Sequence, residues 1–287
     1  MLTGIHFLLT YACTYECDHC FLHSGPFREG TFTIDRLRKA LIQIKDVKAI
    51  DNVYFEGGEP FLYYPLMLAG IRMARDMGLD AGIVTNAYWA TSVEDAKIWL
   101  KPLQDLGISD LSISDDYYHY GEVKENLAKN ALKAARKLKM PAATICIERP
   151  NPDSSDGPMY KGRAAEKLTE GLPTKSWQEF TECPHEDLEH PARVHLDCFG
   201  NLHVCQGICI GNIWQEPLSE IIRSYQPHSH PICGPLIAGG PARLAEVYSV
   251  PHQDQYVDAC HFCYLVRKSL LDRFPQYLAP KSVYGIS

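Results

Sequence analysis

A chain of 287 residues, 46% apolar and 22% charged, has the composition of a folded globular protein, sized for one large domain or a main domain with a smaller appendage. Its net charge of −7 argues against nucleic acid as the main partner, because phosphate binding calls for a basic surface. No apolar run approaches the ~20 residues of a membrane span, and the stretch from Ile5 to Leu9 is too short, and lacks the basic leader, to be a signal peptide.

Residues 5–9 read as a first strand, followed by a loop that holds three cysteines. Thr33 is placed to cap a helix whose apolar positions Ile34, Leu37, Leu41 and Ile44 recur at helical spacing. Residues 53–55 are a second strand, and a helix around Met67, Ile71 and Ala74 ends near Gly78. Residues 82–86 are a third strand. Ser92 with Asp95 forms a capping-box pattern for the next helix, which Pro102 is expected to kink. Residues 111–114 make a fourth strand. A helix over about 122–139 turns Val123, Leu127, Ala131 and Leu138 inward, and residues 143–147 make a fifth strand with Cys146 in the core. This alternation predicts an α/β fold with a parallel sheet and outer helices, curled by right-handed crossovers into a partial (β/α)6 TIM-like barrel.

The barrel core is expected over 1–150. A connector over 151–182 is expected to complete the barrel, with a loop by composition at 150–158, and a small cysteine-rich domain over 183–287 follows. In that last part a strand at 194–197 and the run Gly200 to Cys205 precede a helix at 217–225, and Cys260-His261-Phe262-Cys263 opens a final helix.

Without a secretory signal, the 11 cysteines point to metal ligation in a reducing cytoplasm rather than to disulfides. Cys13, Cys17 and Cys20 are separated by three and then two residues, which puts all three sulfurs on one tight loop. A cubane cluster with three thiolates and one open iron needs that geometry. At this cysteine frequency chance supplies roughly 0.02 such matches in the chain. The second strand ends in Gly57-Gly58-Glu59-Pro60, where glycines let backbone approach a ligand closely and a carboxylate suits an ammonium group. The cysteine loop, Glu59, Asn86 and Ser114-Asp115-Asp116 all follow the carboxyl ends of strands, where α/β barrels place their sites.

The cysteine triad together with Gly-Gly-Glu-Pro after the second strand resembles the radical S-adenosylmethionine (radical SAM) superfamily. The resemblance implies that Cys13, Cys17 and Cys20 hold a [4Fe-4S] cluster whose fourth iron takes the amino and carboxylate groups of SAM. Reductive cleavage would then give a 5′-deoxyadenosyl radical. It further implies Gly57, Gly58 and Glu59 at the SAM ammonium group, with Asn86 also at the SAM site, Ser114 with Asp115 or Asp116 at the ribose, and His19 beside the adenine, where the family usually has a bulkier ring. Arg163 in Gly162-Arg163-Ala164 resembles a motif that contacts SAM, a surface arginine being the alternative.

Seven cysteines after residue 182 resemble the SPASM and twitch extensions of this superfamily, which carry auxiliary iron–sulfur clusters. The shorter twitch form matches better, since Tyr264 to Ser287 contains no cysteine. Cys183, Cys205, Cys260 and Cys263 are the expected ligands of an auxiliary [4Fe-4S] cluster, with Cys198, Cys209 and Cys233 as alternatives. A structural zinc stays open at this point, although only one Cys-x-x-Cys pair is present.

The resulting reading is an enzyme that abstracts a substrate hydrogen, with electrons from a flavodoxin- or ferredoxin-type donor. The substrate is a ribosomal peptide, whose leader a separate protein could bind because Cys13 leaves no room for an N-terminal peptide-binding domain. A small alcohol or sugar-like molecule is the alternative. A non-catalytic iron–sulfur or zinc scaffold is the reading from another class, and Gly57-Gly58-Glu59-Pro60 argues against it. The 12 histidines show no metal-ligand spacing.

Overall fold

The structure is a computed structural model describing residues 2–150 and 157–286. Strand β1 (Gly4–Thr10) alternates, with Ile5, Phe7 and Leu9 fully buried on one face and His6 half-buried on the other. Next come α1 (Ile34–Lys45), β2 (Asn52–Gly57), α2 (Tyr64–Asp76), β3 (Asp80–Thr85), α3 (Val93–Asp105) and β4 (Asp110–Ser114). The short α4 (Tyr117–Tyr120) and α5 (Leu127–Lys137) lead to β5 (Ala142–Ile145). These five strands pair in parallel in the order β5-β4-β3-β2-β1, as expected of an α/β partial barrel. Phe7 and Phe55 stack at 5.3 Å under the helices, while His6, Tyr54 and Glu56 belong to the opposite, inner face.

Local chemistry sets the helix limits. The Thr33 hydroxyl accepts from Arg36 N at 3.3 Å and opens α1; the Ser92 hydroxyl accepts from Asp95 N at 3.0 Å and opens α3. Helix α3 runs through Pro102 as one helix. The helix expected from 122 instead begins at Leu127. Asp116 caps α4, Gly121 ends it at φ 65°, and the Asn126 side chain accepts from Lys129 N to start α5. Val123 is consequently outside the helix and exposed. Cys146 is exposed rather than core. It lies just beyond β5, the edge strand, against which no further strand pairs among the described residues.

The C-terminal part comprises α6 (Ala164–Lys167), β6 (Lys175–Ser176), β7 (Arg193–Asp197), β8 (Asn201–Cys205), β9 (Ile208–Asn212) and α7 (Leu218–Ser224). Helix α8 (Cys233–Tyr248), broken at Gly239–Gly240, then β10 (Gln255–Tyr256) and α9 (Ala259–Ser269) complete it. The sixth parallel strand is β7, and it pairs with β1 rather than beyond β5. Strands β8 and β9 continue the same sheet antiparallel, so the cysteine-rich part is joined to the barrel by backbone hydrogen bonds. The connector does not complete the barrel: its only strand among the described residues, β6, pairs with β10 in a separate two-stranded sheet. Most of the loop expected at 150–158 lies outside the described residues. No helix among the described residues is long and apolar enough to cross a membrane.

Candidate active site

The loop after β1 brings Cys13, Cys17 and Cys20 onto one cavity of about 140 Å³, together with Gly57, Gly58 and Asn86. Two donors point at the Cys13 sulfur, Tyr15 N at 3.5 Å and Asn86 Nδ2 at 3.4 Å. Burial pushes the Cys13 thiol up to about 11 and raises Cys17 as well, so metal loading here displaces protons. Three soft donors on a half-closed loop, with N–H groups aimed at sulfur, fit an iron–sulfur cluster.

Gly57 and Gly58 owe their identity to the cysteine loop as much as to any ligand. A Cβ on Gly58 would lie 2.0 Å from the Ala12 carbonyl oxygen, and one on Gly57, at φ 122°, 2.6 Å from that of Thr10. The close approach lets Gly58 N donate to Thr10 O at 2.7 Å and Glu59 N to Ala12 O at 2.9 Å. Glu59, expected at the SAM ammonium group, does not line this cavity. It is 0% exposed, and its carboxylate accepts from Phe61 N (3.0 Å), Thr85 Oγ1 (2.9 Å) and Asn86 N (2.7 Å). Burial raises its carboxyl to about 7 against those three donors. Glu59 thereby fixes Asn86, which in turn reaches Cys13 and, at 3.1 Å, Thr14 Oγ1.

On the far wall, His19 packs against Tyr118 with ring centroids 4.5 Å apart, and Ser114 lines the same cavity. Burial lowers the His19 imidazole to about 4, and its Nδ1 has no hydrogen-bond partner. Asp116 Oδ1 accepts from Tyr118 N and His119 N and meets His119 Nδ1 at 2.8 Å, while its buried Oδ2 is unpartnered. Asp116 lines the adjoining barrel cavity, whose wall His19 shares, so an orphaned carboxylate oxygen and a neutral ring stand where the two cavities meet, acceptors that a nucleoside hydroxyl and base can use. Arg163 is not directed at that cavity: its guanidinium donates to Cys17 O and Ser24 O, both at 2.6 Å, and clamps the cysteine loop.

A second cavity, of about 540 Å³, fills the barrel and shares His19, Phe21, Glu56, Val84 and Ser114 with the first. On its wall His6, Glu56 and His195 meet, a cluster that sequence spacing does not reveal because its members are far apart in the chain. The available signal was period-two alternation. His6 in β1 and His195 in β7 are polar residues between buried apolar neighbours, and Glu56 follows buried Phe55 in β2, hence all three lie on the inner face of the sheet.

Of the seven C-terminal cysteines, Cys183, Cys205, Cys260 and Cys263 line one small cavity, of about 20 Å³. Cys198, Cys209 and Cys233 do not line it; Cys209 instead packs 3.6 Å from His203 Nδ1 and donates to Ala279 O at 3.2 Å. Lys161, 2% exposed, places Nζ 3.7 Å from Cys205 Sγ and 3.7 Å from Glu186. Arg267, 1% exposed, donates to Gln206 O, Cys263 O and Tyr284 Oη, with no carboxylate partner among the described residues. A buried guanidinium surrounded by thiols calls for anionic sulfur, which a metal centre supplies. Burial raises Cys183 and Cys260 and pushes Cys263 up to about 11, so these sulfurs become anionic on metal binding.

The family model of the radical SAM superfamily matches residues 7–147. Residues 7–147 are a radical SAM domain. Over 125 residues the chain is 27% identical to a putative peptide biosynthesis protein, YydG, of Bacillus subtilis (strain 168), covering 44% of this chain and 39% of that protein. It is 30% identical over 88 residues to an S-adenosylmethionine-dependent nucleotide dehydratase of Fibrobacter sp. (strain UWH6), covering 29% of this chain and 26% of that one. The chain thus matches well under half the length of these curated relatives. In fold it is similar to BtrN in complex with AdoMet and 2-DOIA, at TM-score 0.54 and 16% identity, over 77% of this chain and 82% of that one. Native anSMEcpe with bound AdoMet aligns at TM-score 0.51 and 13% identity over 96% of this chain and 98% of that one. Cys13, Cys17, Cys20 and the Gly57–Glu59 turn all fall inside the radical SAM domain.

Proposed function

We propose that this radical SAM enzyme holds a [4Fe-4S] cluster on Cys13, Cys17 and Cys20, binds SAM across Gly57, Gly58, Asn86, Ser114, Asp116 and His19, and holds an auxiliary [4Fe-4S] cluster on Cys183, Cys205, Cys260 and Cys263. The observation that carries the reading is the order of the cavities. The 540 Å³ barrel cavity shares walls with the Cys13–Cys20 cavity on one side, and shares Glu186 with the cavity of the four C-terminal cysteines on the other. A substrate between the two sites would face a source of radicals and an electron acceptor.

When bound, a cubane with one open iron supplies the electron that cleaves SAM into methionine and a 5′-deoxyadenosyl radical. The chain's own work is placement. Asn86, fixed by Glu59, donates to the Cys13 sulfur. Arg163 ties down the loop carbonyls of Cys17 and Ser24. Asp116 Oδ2 and His19 Nδ1 offer acceptors to the nucleoside. Phe21 gives both cavities part of an apolar wall.

The substrate proposed first is a ribosomal peptide, supported by the likeness to the peptide biosynthesis protein of Bacillus subtilis. A separate leader-binding protein and a flavodoxin- or ferredoxin-type donor in a reducing cytoplasm complete that reading. A small alcohol or sugar-like substrate is the second reading, favoured by the polar His6, Glu56 and His195 wall.

The test is 5′-deoxyadenosine production under strong reductant by the reconstituted chain. Replacing Cys13, Cys17 and Cys20 together by alanine should abolish it and leave the auxiliary iron in place. Continued 5′-deoxyadenosine formation by the triple variant would overturn the assignment of the SAM-binding cluster.

A further inference from the structure

Three neighbouring strands carry His6, Glu56 and His195 to one point on the barrel wall. The parallel registers set His6 of β1 opposite Tyr54 of β2 on one side and His195 of β7 on the other. Glu56, two residues after Tyr54, extends from the same inner face. Its Oε1 lies 3.5 Å from His6 Nδ1 and 3.0 Å from His195 Nε2. Both contacts run off the hydrogen-bond line, so this buried oxygen has no hydrogen-bond partner. A buried carboxylate oxygen between two imidazole nitrogens, with an aligned hydrogen bond to neither, is placed to share a cation with them.

We propose that His6, Glu56 and His195 bind one divalent first-row transition-metal ion in the barrel cavity. Two imidazoles and one carboxylate form the donor set of a facial triad, and it suits Zn²⁺ and Fe²⁺ rather than a thiolate-seeking centre. One ligand atom from each residue lies within 4.8 Å of the others, so a small inward turn of the two rings brings all three to the distance of about 2.0–2.2 Å that a common ion requires. The surroundings hold the ligands in place. His6 stacks on Tyr54 at 4.7 Å and 17°, and the Gln206 amide lies 3.4 and 3.5 Å from the two ring nitrogens of His195. Gln206 is 6% exposed and its Oε1 is also without a partner, a second orphaned oxygen beside the triad. Two other groups of this kind adjoin sites already described: His19, Asp116 and His119 at the nucleoside wall, and His185, Asp258 and Cys260, of which His185 and Cys260 line the cavity of the C-terminal cysteines.

The ion's remaining positions would open onto the barrel cavity and take oxygen donors of a substrate, such as a carboxylate or a pair of hydroxyls, orienting them toward the Cys13–Cys20 side. This binding stands independently of the radical reading, because no cysteine takes part in it.

The experiment uses anaerobically reconstituted, iron-loaded protein incubated with Zn²⁺ and desalted. Zinc and iron are counted by mass spectrometry, and zinc K-edge absorption reports the ligands. Wild type should retain one zinc per chain with a nitrogen/oxygen shell at about 2.0–2.1 Å and no sulfur shell near 2.3 Å. His195→Ala and Glu56→Gln should each lose that zinc at wild-type iron content. No retained zinc in wild type, a sulfur shell, or a full equivalent of zinc in both variants would overturn the proposal. Should His195→Ala also lose iron, the isosteric Glu56→Gln and the wild-type absorption edge decide the matter without it. Iron content reads the cysteine sites separately, so failure of the triad and failure of the cluster assignment are distinguishable.

Discussion

Glu59 can be tested through the pH dependence of stability. The perturbation is Glu59→Gln, which keeps the shape of a side chain that is 0% exposed. The carboxylate accepts from three donors, and an amide cannot satisfy them all. Whichever way Gln turns, its NH₂ faces either Phe61 N or Asn86 N, at a cost of about 1–3 kcal/mol. That cost does not vary with pH, whereas ionisation of Glu59 does. Burial raises the carboxyl from 4.5 to about 7 against the hydrogen bonds from Asn86, Phe61 and Thr85. A folded state that holds its proton more tightly than the unfolded chain gains stability below pH 4.5, and loses that gain as pH rises to about 7. At about 1.4 kcal/mol per pH unit the whole effect is about 3 kcal/mol, worth of the order of 5–10 °C in Tm. Melting both proteins anaerobically at one scan rate between pH 5 and 8 should show wild type losing ground to Glu59→Gln as pH rises. A difference that stays flat, or that moves in wild type's favour, would mean that the three donors outweigh burial and that the carboxyl ionises in the usual range.

Gly58→Ala should break the seam between the second strand and the cysteine loop, because its Cβ would sit 2.0 Å from Ala12 O. Loss of two buried backbone hydrogen bonds costs about 2–5 kcal/mol, read as a lower Tm and as depleted iron after reconstitution. Arg163→Ala removes two charged hydrogen bonds to the cysteine loop, about 3–5 kcal/mol before solvent relaxes the loss, and iron should dissociate faster from the first site while the auxiliary iron is retained. Cys260→Ala with Cys263→Ala should lower reconstituted iron from about eight to about four atoms per chain and leave SAM cleavage uncoupled from product formation. Unchanged iron in that double variant would move the ligands to Cys198, Cys209 or Cys233.

Much of this was legible in the chain because local rules carried it. The Thr33 and Ser92 caps, the alternation of β1, and the cysteine loop after it are written in a few adjacent residues each. What escaped depends on pairing between distant segments. The place of β7 beside β1 cannot be read from either strand, since neither sequence names its partner, and that pairing alone brings His195 to His6. Cys146 looked like core because Ile145 and Ile147 flank it, yet an edge strand has no neighbour to cover it. Glu59 was legible as a residue that matters but its hydrogen bonds were not, because two of its three donors, Thr85 and Asn86, come from the end of another strand.

The pairing of β7 with β1 has a consequence for how the two cysteine sites communicate. Strand β1 ends in the Cys13–Cys20 loop, and β7 leads through β8 to Cys205 and Gln206. Cys205 lines the C-terminal cavity, while Gln206 lines the barrel cavity beside His195. Arg267, from the helix that also supplies Cys260 and Cys263, donates to the Gln206 carbonyl at 3.0 Å. The wall of the barrel cavity is therefore built from the same backbone that positions the C-terminal cysteines. If the proposed cluster orders Cys205, Cys260 and Cys263, it would also order Gln206 and, through it, the His195 ring. On the proposed reading the C-terminal cysteines would act on the shape of the reaction volume as well as on its electrons. A variant lacking them should bind substrate less well even where no electron needs to be removed.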